Sequence, residues 1–331
     1  MIEINIGAEE QEQRLDRFLK KFLPKASLGH VYKIIRTKVR VNGKKAKPEQ
    51  YLKKGDVLAL YLPEDALEAF LKPEKENARS ASPRQFTVVY EDENLLLVNK
   101  PAGLLTHGDR TEKKNTLVNQ VLDYLVDTGA YRFSRVNTFV PATVNRLDRN
   151  TSGLVIFGKN NLALQCLNEM IRSKESIGKY YLAAAKGELT EERTLRSVME
   201  KDEEKNRIRI LEGDAPKGRV METVLRPVAC RNGYSLVEAQ LITGRTHQIR
   251  AHMASAGLHI LGDPKYGDLS VNKKMKESFG LTGQFLHAGR LAFWDCPEMF
   301  RYLDGKEFRA PLPAKLERIK RELFEEEKQY E

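Results

Sequence analysis

Apolar positions in the first sixty residues change period twice. Leu15, Phe18, Leu19 and Phe22 recur at i, i+3, i+4 and i+7, one stripe of a short helix that Pro24 ends. Ser27 can cap a second helix, whose apolar face carries Val31, Ile34 and Ile35. The spacing then drops to two in KVRVNGKKA: Val39 and Val41 face one way, Lys38 and Arg40 the other, and Asn42-Gly43 supplies a tight turn. Gly55-Asp56 opens a further strand-like run from Val57 to Leu62, so residues 1–62 read as a small α+β module. Residues 63–84, PEDALEAFLKPEKENARSASPR, carry no sustained period and read as a linker with one helical turn around Ala66–Leu71. From Phe86 onward the candidates mix. FTVVYE, NLLLVNK, LVIFGK, YYLAAAKG and YSLVEAQLI read as strands and LVNQVLDYLV as a helix. Such mixing without steady βαβ alternation predicts an α+β domain over 85–312, built on a large mixed, mainly antiparallel sheet flanked by helices and loops. The segment 313–331 is strongly charged and reads as a solvated helical cap.

With 331 residues and 41% hydrophobic positions, the chain can fill two cores. Its net charge of +10 is unevenly placed. Between Arg17 and Lys54 thirteen Lys/Arg face one acid, Glu49; that segment alone carries +12, leaving −2 for everything else. A basic segment of this kind is the footprint of a polyanion-binding module. No apolar run approaches the ~18 residues needed to span a bilayer, and the opening MIEINIGAEE is too acidic for a signal peptide. Cys166, Cys230 and Cys296 lie far apart and form no C-x-x-C, which disfavours a disulfide framework or a zinc knuckle. The expectation is a cytoplasmic protein without membrane attachment.

Two patterns mislead. Gly153-x-x-x-x-Gly158-Lys159 has the spacing of a phosphate-binding loop, but the intervening Leu-Val-Ile-Phe wants a strand. Asn160 also stands where that motif needs a Ser/Thr hydroxyl. His247 and His252 are five apart, the wrong spacing for a helical metal pair, and no acid lies between them. No metal site is expected. His107 and His247 suit hydrogen bonding within a polar site.

Three blocks carry candidate chemistry. In Val144–Gly153, Asp148 sits between Arg146 and Arg149 on a polar turn feeding an apolar strand, a setting that favours the ionised carboxylate. Such a group can act as a nucleophile or stabilise a cationic sugar, and it can equally be one half of a structural ion pair. In Leu241–His252 a strand runs into a glycine turn, and a polar cluster with Arg245, Thr246, His247 and Arg250 opens a helix whose first N–H groups suit an anion. The third block, Lys179-Tyr180-Tyr181, precedes a strand and by itself places two tyrosines on alternate faces.

Together these blocks resemble the RluA-type pseudouridine synthases, in their RluC/RluD-like form. NRLDRNTSGL is similar to the family's HRLDRDTSGL, KYYLAAAKG to its K-x-Y-x-A, and LITGRTHQIRAHMASAGLHILGDPKYG to its third motif. VNKPAGLLTHG resembles the strand and loop that open the catalytic domain, so the likeness spans about residues 86–312. RLDRFL…VRVNGKKA…LKKGDVL, over about 14–62, resembles the S-four-type RNA-binding domain that precedes this catalytic domain in some members. The resemblance implies that Asp148 is the catalytic aspartate, that Tyr181 stacks on the target base, and that Arg250 pairs with Asp148. Candidate RNA contacts are Arg146, Arg149, Arg245 and His247 in the catalytic domain. In the basic module they are Lys20, Lys33, Arg36, Lys38, Arg40, Lys44 and Lys45. Asn145 and Asn150 depart from the family's His and Asp, which bears on RNA contact rather than on the acid. The implied reaction isomerises uridine without cofactor or metal, in ribosomal RNA of the large subunit, free or within a pre-ribosomal particle. Transfer RNA, or RNA binding without catalysis, are the alternatives, and nothing calls for more than a monomer.

Overall fold

The computed structural model describes residues 1–7, 10–71, 83–132, 139–202, 207–211 and 219–325. The first unit comprises β1 (Ile2–Asn5), α1 (Leu15–Phe22), α2 (Leu28–Lys38), β2 (Val39–Val41), β3 (Lys44–Lys45), β4 (Val57–Leu60) and α3 (Glu64–Phe70). Its sheet runs in the order β1-β4-β2-β3. The predicted stripes of α1 and α2 bury against Ile4, Val39, Val41, Leu58 and Leu60. Each fully buried apolar side chain contributes about 1.5–3 kcal/mol relative to exposure. Ser27 caps α2 by accepting the His30 N–H at 3.2 Å. Asn42 and Gly43 both take positive φ, 50° and 75°, as the hairpin turn between β2 and β3 requires. The Asn42 side chain then fastens that turn to β4, accepting from Val57 N–H at 2.9 Å.

Two features differ from the sequence reading. IEIN forms β1, an edge strand in antiparallel register with β4, with Ile2 opposite Leu60. The stretch read as linker begins with a full helix, α3, and Leu67 and Leu71 bury in the same cluster as α1 and α2. Apolar packing of the first unit therefore continues past residue 62. Residues 72–82 of that stretch lie outside the described residues.

The second unit comprises β5 (Thr87–Glu91), β6 (Leu95–Lys100), α4 (Leu117–Asp127), β7 (Ala142–Thr143), β8 (Ser152–Gly158), α5 (Asn161–Ser173), β9 (Ile177–Lys186), β10 (Arg193–Asp202), β11 (Arg207–Leu211), β12 (Arg219–Arg231) and β13 (Tyr234–Leu241), then α6 (Gln248–Ser255), β14 (His259–Ile260), α7 (Leu269–Phe279), β15 (Leu286–Phe293), β16 (Glu307–Arg309) and α8 (Ala314–Phe324). These strands form one 12-stranded sheet with the main order β11-β10-β12-β13-β9-β15-β8-β6-β5. Its pairings are antiparallel except for β8 with β15. The expected mixed, mainly antiparallel α+β architecture is present.

Alternate residues of the central strands feed two cores. Leu96, Val98, Val155 and Phe157 pack under α4, whereas Leu95, Leu97, Leu154 and Ile156 pack under α5. Burial on both faces is why these strands read as unbroken apolar runs. The Gly153–Gly158 spacing therefore falls inside β8, buried along its whole length. Gly153 adopts φ +116°, and a Cβ there would lie 2.6 Å from Ala288 N, so the close approach of β15 demands glycine. The charged α8 is more than a solvated cap: Leu316 and Ile319, one turn apart, bury against Ala184, Leu236 and Phe285. Residues 326–331 lie outside the described residues. Among the described residues no helix is long and apolar enough to cross a membrane.

Candidate active site

The segment between β7 and β8 carries Arg146, Asp148 and Arg149, and it is fixed from behind. Thr106 donates its hydroxyl to the Leu147 carbonyl at 2.9 Å. Lys100, the last residue of β6, is fully buried and donates to the carbonyls of Pro101 at 2.9 Å, Leu104 at 2.7 Å and Arg149 at 3.1 Å. Burial pushes the Lys100 ammonium down to about 7, against the opposing pull of the Asp148 charge. On the strand side, Gln284 donates to Thr151 Oγ1 at 3.0 Å. The turn is thus held on both flanks before anything binds.

Asp148 opens onto a cleft whose walls include Arg146, Tyr181, Arg245, His247 and Arg250. Its side chain is 29% exposed, and Arg250 Nη1 donates to Oδ2 at 2.7 Å. Arg250 is one of several polar residues on α6, a helix buried on nearly every side. Buried polar groups require partners, and these have them. Arg250 Nε and Nη2 donate to the two oxygens of Asp263 at 2.6 and 2.8 Å, and Asp263 is completely buried. Gln248 donates to the Glu222 carbonyl and, through Oε1, accepts Arg245 N–H at 3.1 Å. One of the helix-start N–H groups expected to greet an anion is therefore already used. His252 lies between Ser197 Oγ at 2.7 Å and Thr223 Oγ1 at 2.9 Å, so it holds β10 and β12 to α6. Among the described residues no group of three His, Cys, Asp or Glu could hold a metal ion.

Burial and its two carboxylate partners act on Arg250 in opposite directions, and the carboxylates prevail: the guanidinium is held above its ordinary value and stays charged. Burial also opposes the Asp263 charge, yet Arg250 and the backbone N–H groups of Lys265 and Tyr266 hold it below the usual carboxylate range. Tyr181, on β9, is buried in the cleft floor; dehydration and the Asp148 charge both push its hydroxyl well above the ordinary phenol value. His247 takes a left-handed backbone (φ 51°) at the entry to α6. Its Nδ1 meets Tyr266 Oη at 3.2 Å, and Nε2 stands 3.8 Å from Asp148, an approach too long for a hydrogen bond. Burial pushes the His247 ring down to about 4, so it is neutral at pH 7.

The arrangement is a carboxylate, a buried tyrosine and a clamped arginine around a cleft lined by further cations. The family model described as RNA pseudouridylate synthase matches residues 94–255. A Bacillus subtilis protein named "Uncharacterized RNA pseudouridine synthase YlyB" is 31% identical over 316 residues, 94% of each chain. A Vibrio vulnificus protein named "Ribosomal large subunit pseudouridine synthase C" is 32% identical over 323 residues, 96% of this chain and 94% of its own. The chain belongs to the RNA pseudouridine synthase family. A solved human structure titled "RNA Pseudouridylate Synthase Domain Containing 4" shares the fold over 70% of this chain and 92% of its own, with a TM-score of 0.54 and 21% identity.

Within this pseudouridine synthase, the structure does not gather every candidate RNA contact. Arg149 is exposed away from the cleft walls, and its Nε donates to the Gly103 carbonyl at 3.1 Å. Lys20 Nζ is engaged by the carbonyls of Pro24 and Ala26, at 3.0 and 2.6 Å, closing the end of α1. Lys33, Arg36, Lys38, Lys44 and Lys45 are exposed, and Arg40 is half-buried. Asn145, which replaces the family's histidine, bonds to the backbone of β8, accepting Ile156 N–H at 2.8 Å and donating to the Leu154 carbonyl at 3.2 Å. Asp263 and Lys100 escaped the sequence reading. Asp263 sits in GDPKYG at the end of the third block, and its signal was a lone acid between Gly262 and Gly267 beyond an arginine-bearing helix.

Proposed function

We propose that this pseudouridine synthase acts on uridines of large-subunit ribosomal RNA and uses Asp148 as its catalytic carboxylate. The observation that carries the second half is the 2.7 Å grip of Arg250 on one oxygen of a cleft-facing aspartate. Arg250 holds Oδ2, while Oδ1 accepts no hydrogen bond among the described residues and points the acid toward an incoming sugar or base. The ribosomal assignment rests on names: relatives from Vibrio vulnificus and Haemophilus influenzae, 32% and 33% identical, are called large-subunit enzymes.

Isomerisation breaks the bond between the sugar and the ring nitrogen, turns the uracil, and rejoins it through ring carbon five, whose proton leaves. Substrate and product are isomers, so no electron source or energy carrier enters the balance. A base cannot turn inside a stack, and the target must first be flipped out at a cost of a few kcal/mol. In this reading Arg146 and Arg245 at the cleft wall draw the flipped nucleotide's phosphates. The Tyr181 ring stacks on the uracil, and its hydroxyl, kept protonated by burial, serves as a donor before any proton is taken from carbon five. Asp148 attacks the sugar carbon, attacks the base, or promotes sugar deprotonation; all three routes need it ionised, as Arg250 keeps it. The basic face of the first unit grips RNA away from the reacting base. We place the enzyme in the cytoplasm as a monomer that meets free RNA or a pre-ribosomal particle.

Mapping pseudouridines in cells with and without the protein tests the substrate. Sites lost from large-subunit RNA are expected, and sites lost only from transfer RNA would replace it. In vitro, release of tritium from carbon five of a labelled large-subunit transcript should disappear in Asp148→Asn while folding and RNA affinity stay. A normal rate in that variant would end the assignment of the acid.

A further inference from the structure

We propose that Asp263 is a positioning residue for this reaction, one that rations the Arg250 charge so that Asp148 is oriented without being locked into an ion pair. The proposal rests on Asp148 being the catalytic carboxylate. Asp263 is completely buried and is not part of the cleft wall, so it does not meet RNA. Its two oxygens occupy one whole edge of the guanidinium, Nε and Nη2, at 2.6 and 2.8 Å. A guanidinium forks most strongly onto a single carboxylate through two parallel N–H bonds. With that edge taken, Arg250 reaches Asp148 through Nη1 alone, at 2.7 Å. The same cation faces two anions, so only part of its field falls on Asp148.

Asp263 is itself seated in a rigid turn. Gly262 has φ +75°, and a Cβ there would run into the Gly283 carbonyl, so no other residue fits without strain. The Asn272 side chain of α7 clasps the turn from both ends, accepting Gly262 N–H at 2.7 Å and donating to the Asp263 carbonyl at 2.8 Å. The Tyr266 ring lies under the Arg250 guanidinium, 5.3 Å from centroid to Cζ, and limits its swing. A buried ion pair is weak evidence of stabilisation, since a well-packed apolar pair of the same volume does as well. What the apolar pair could not do is fix one remaining N–H on a carboxylate that opens onto the cleft.

The charged and titratable groups facing Asp148 are Arg250 and His247 from α6, Tyr181 from β9, Lys100 behind the turn, and the flanking Arg146 and Arg149; Asp263→Asn alters none of them. That variant keeps shape and removes charge. With Arg250 unshared, Asp148 stays ionised to lower pH and becomes a poorer nucleophile. In tritium release from a large-subunit ribosomal RNA transcript, kcat should fall roughly a hundredfold, the scale of a 1 Å misplacement. Transcript affinity should be unchanged, and the acid limb of the rate profile should move down by roughly one pH unit. If Asp263 merely props up the fold, its loss lets Arg250 drift away from Asp148, and the limb moves up instead. An upward shift or an unchanged kcat overturns the proposal. Should the Asn variant not fold, Asp263→Glu keeps the charge and advances the fork by one methylene: kcat should fall with the limb in place, and full activity overturns the proposal. Asp148→Asn is measured alongside. If it is active, the assignment of the acid fails; if it is dead while Asp263→Asn behaves as wild type, the positioning role alone fails.

Discussion

Replacing Lys100 by methionine removes an ammonium that sits completely buried beneath the Asp148 turn. Methionine fills nearly the same length but leaves the carbonyls of Pro101, Leu104 and Arg149 without their donor. Hydrogen bonds to a charged group contribute about 1.5–3 kcal/mol each, so roughly 5–9 kcal/mol of gross interaction is lost. Dehydration of the ammonium opposes this. Burial drives it from 10.5 to about 7, a depression worth on the order of 5 kcal/mol. Near neutral pH the two nearly offset, and the variant should be less stable by only about 1–4 kcal/mol. The pH dependence is the sharper signature. The folded value lies below the unfolded one, so the contribution of Lys100 is complete above the unfolded value of 10.5 and is lost as pH falls through about 7. The stability gap between wild type and Lys100→Met should therefore widen as pH rises from 7 toward 10.5, by up to about 5 kcal/mol in total. Urea unfolding of both proteins across that range measures the gap, and every other titrating group cancels in the difference. A gap that stays flat or narrows with rising pH would refute the reasoning, because the ammonium would then remain fully charged in the folded state.

At acid pH the contribution to watch is His252, whose ring burial pushes down to about 4 from 6.5. Its contribution is present above 6.5 and lost as pH falls through 4, up to about 3 kcal/mol, and His252→Gln should flatten that part of the stability curve in urea titrations. On the first unit, Lys33, Arg36 and Lys38 are exposed on or at the end of α2. Changing all three to glutamine should weaken transcript binding and reduce the slope of log affinity against log salt by about 2, at ~0.7 per lost phosphate contact on single-stranded RNA. An unaltered slope would remove α2 from the RNA-gripping face.

The helices of the first unit could be read from sequence because their pattern is local: one stripe, one serine cap and one Asn-Gly turn decide them. Strand β1 could not, since four residues containing an acid and an asparagine become a strand only by pairing with β4 more than fifty residues later. Helices α3 and α8 were obscured by their charge; EDALEAF and AKLERIKRELF look solvated until Leu67, Leu316 and Ile319 are found buried. At the site, Asp148 and Arg250 were legible as motif residues. The motif named the pair but not what restrains it. Asp263 meets Arg250 because the chain leaves α6, turns at Gly262 and returns, and this contact has no periodic signature. Lys100 read as the polar end of a strand; only the fold turns it inward.

These restraints bear on where the energy for base flipping comes from. Around the cleft, each charge is fixed by a group that meets no substrate: Asp148 by Arg250, Arg250 by Asp263, and the turn by Lys100 and Thr106. A site so arranged stabilises developing charge without reorganising at the moment of reaction. It therefore has little slack of its own from which to draw a base out of its stack. The +12 segment between Arg17 and Lys54 lies in the other unit, and its exposed cations can hold RNA whether or not the uridine is flipped. If that grip only concentrates RNA, neutralising α2 lowers affinity and leaves the rate at saturating RNA unchanged. If remote binding drives the flip, the saturating rate falls as well, because energy taken from distant contacts is then spent at the reacting base.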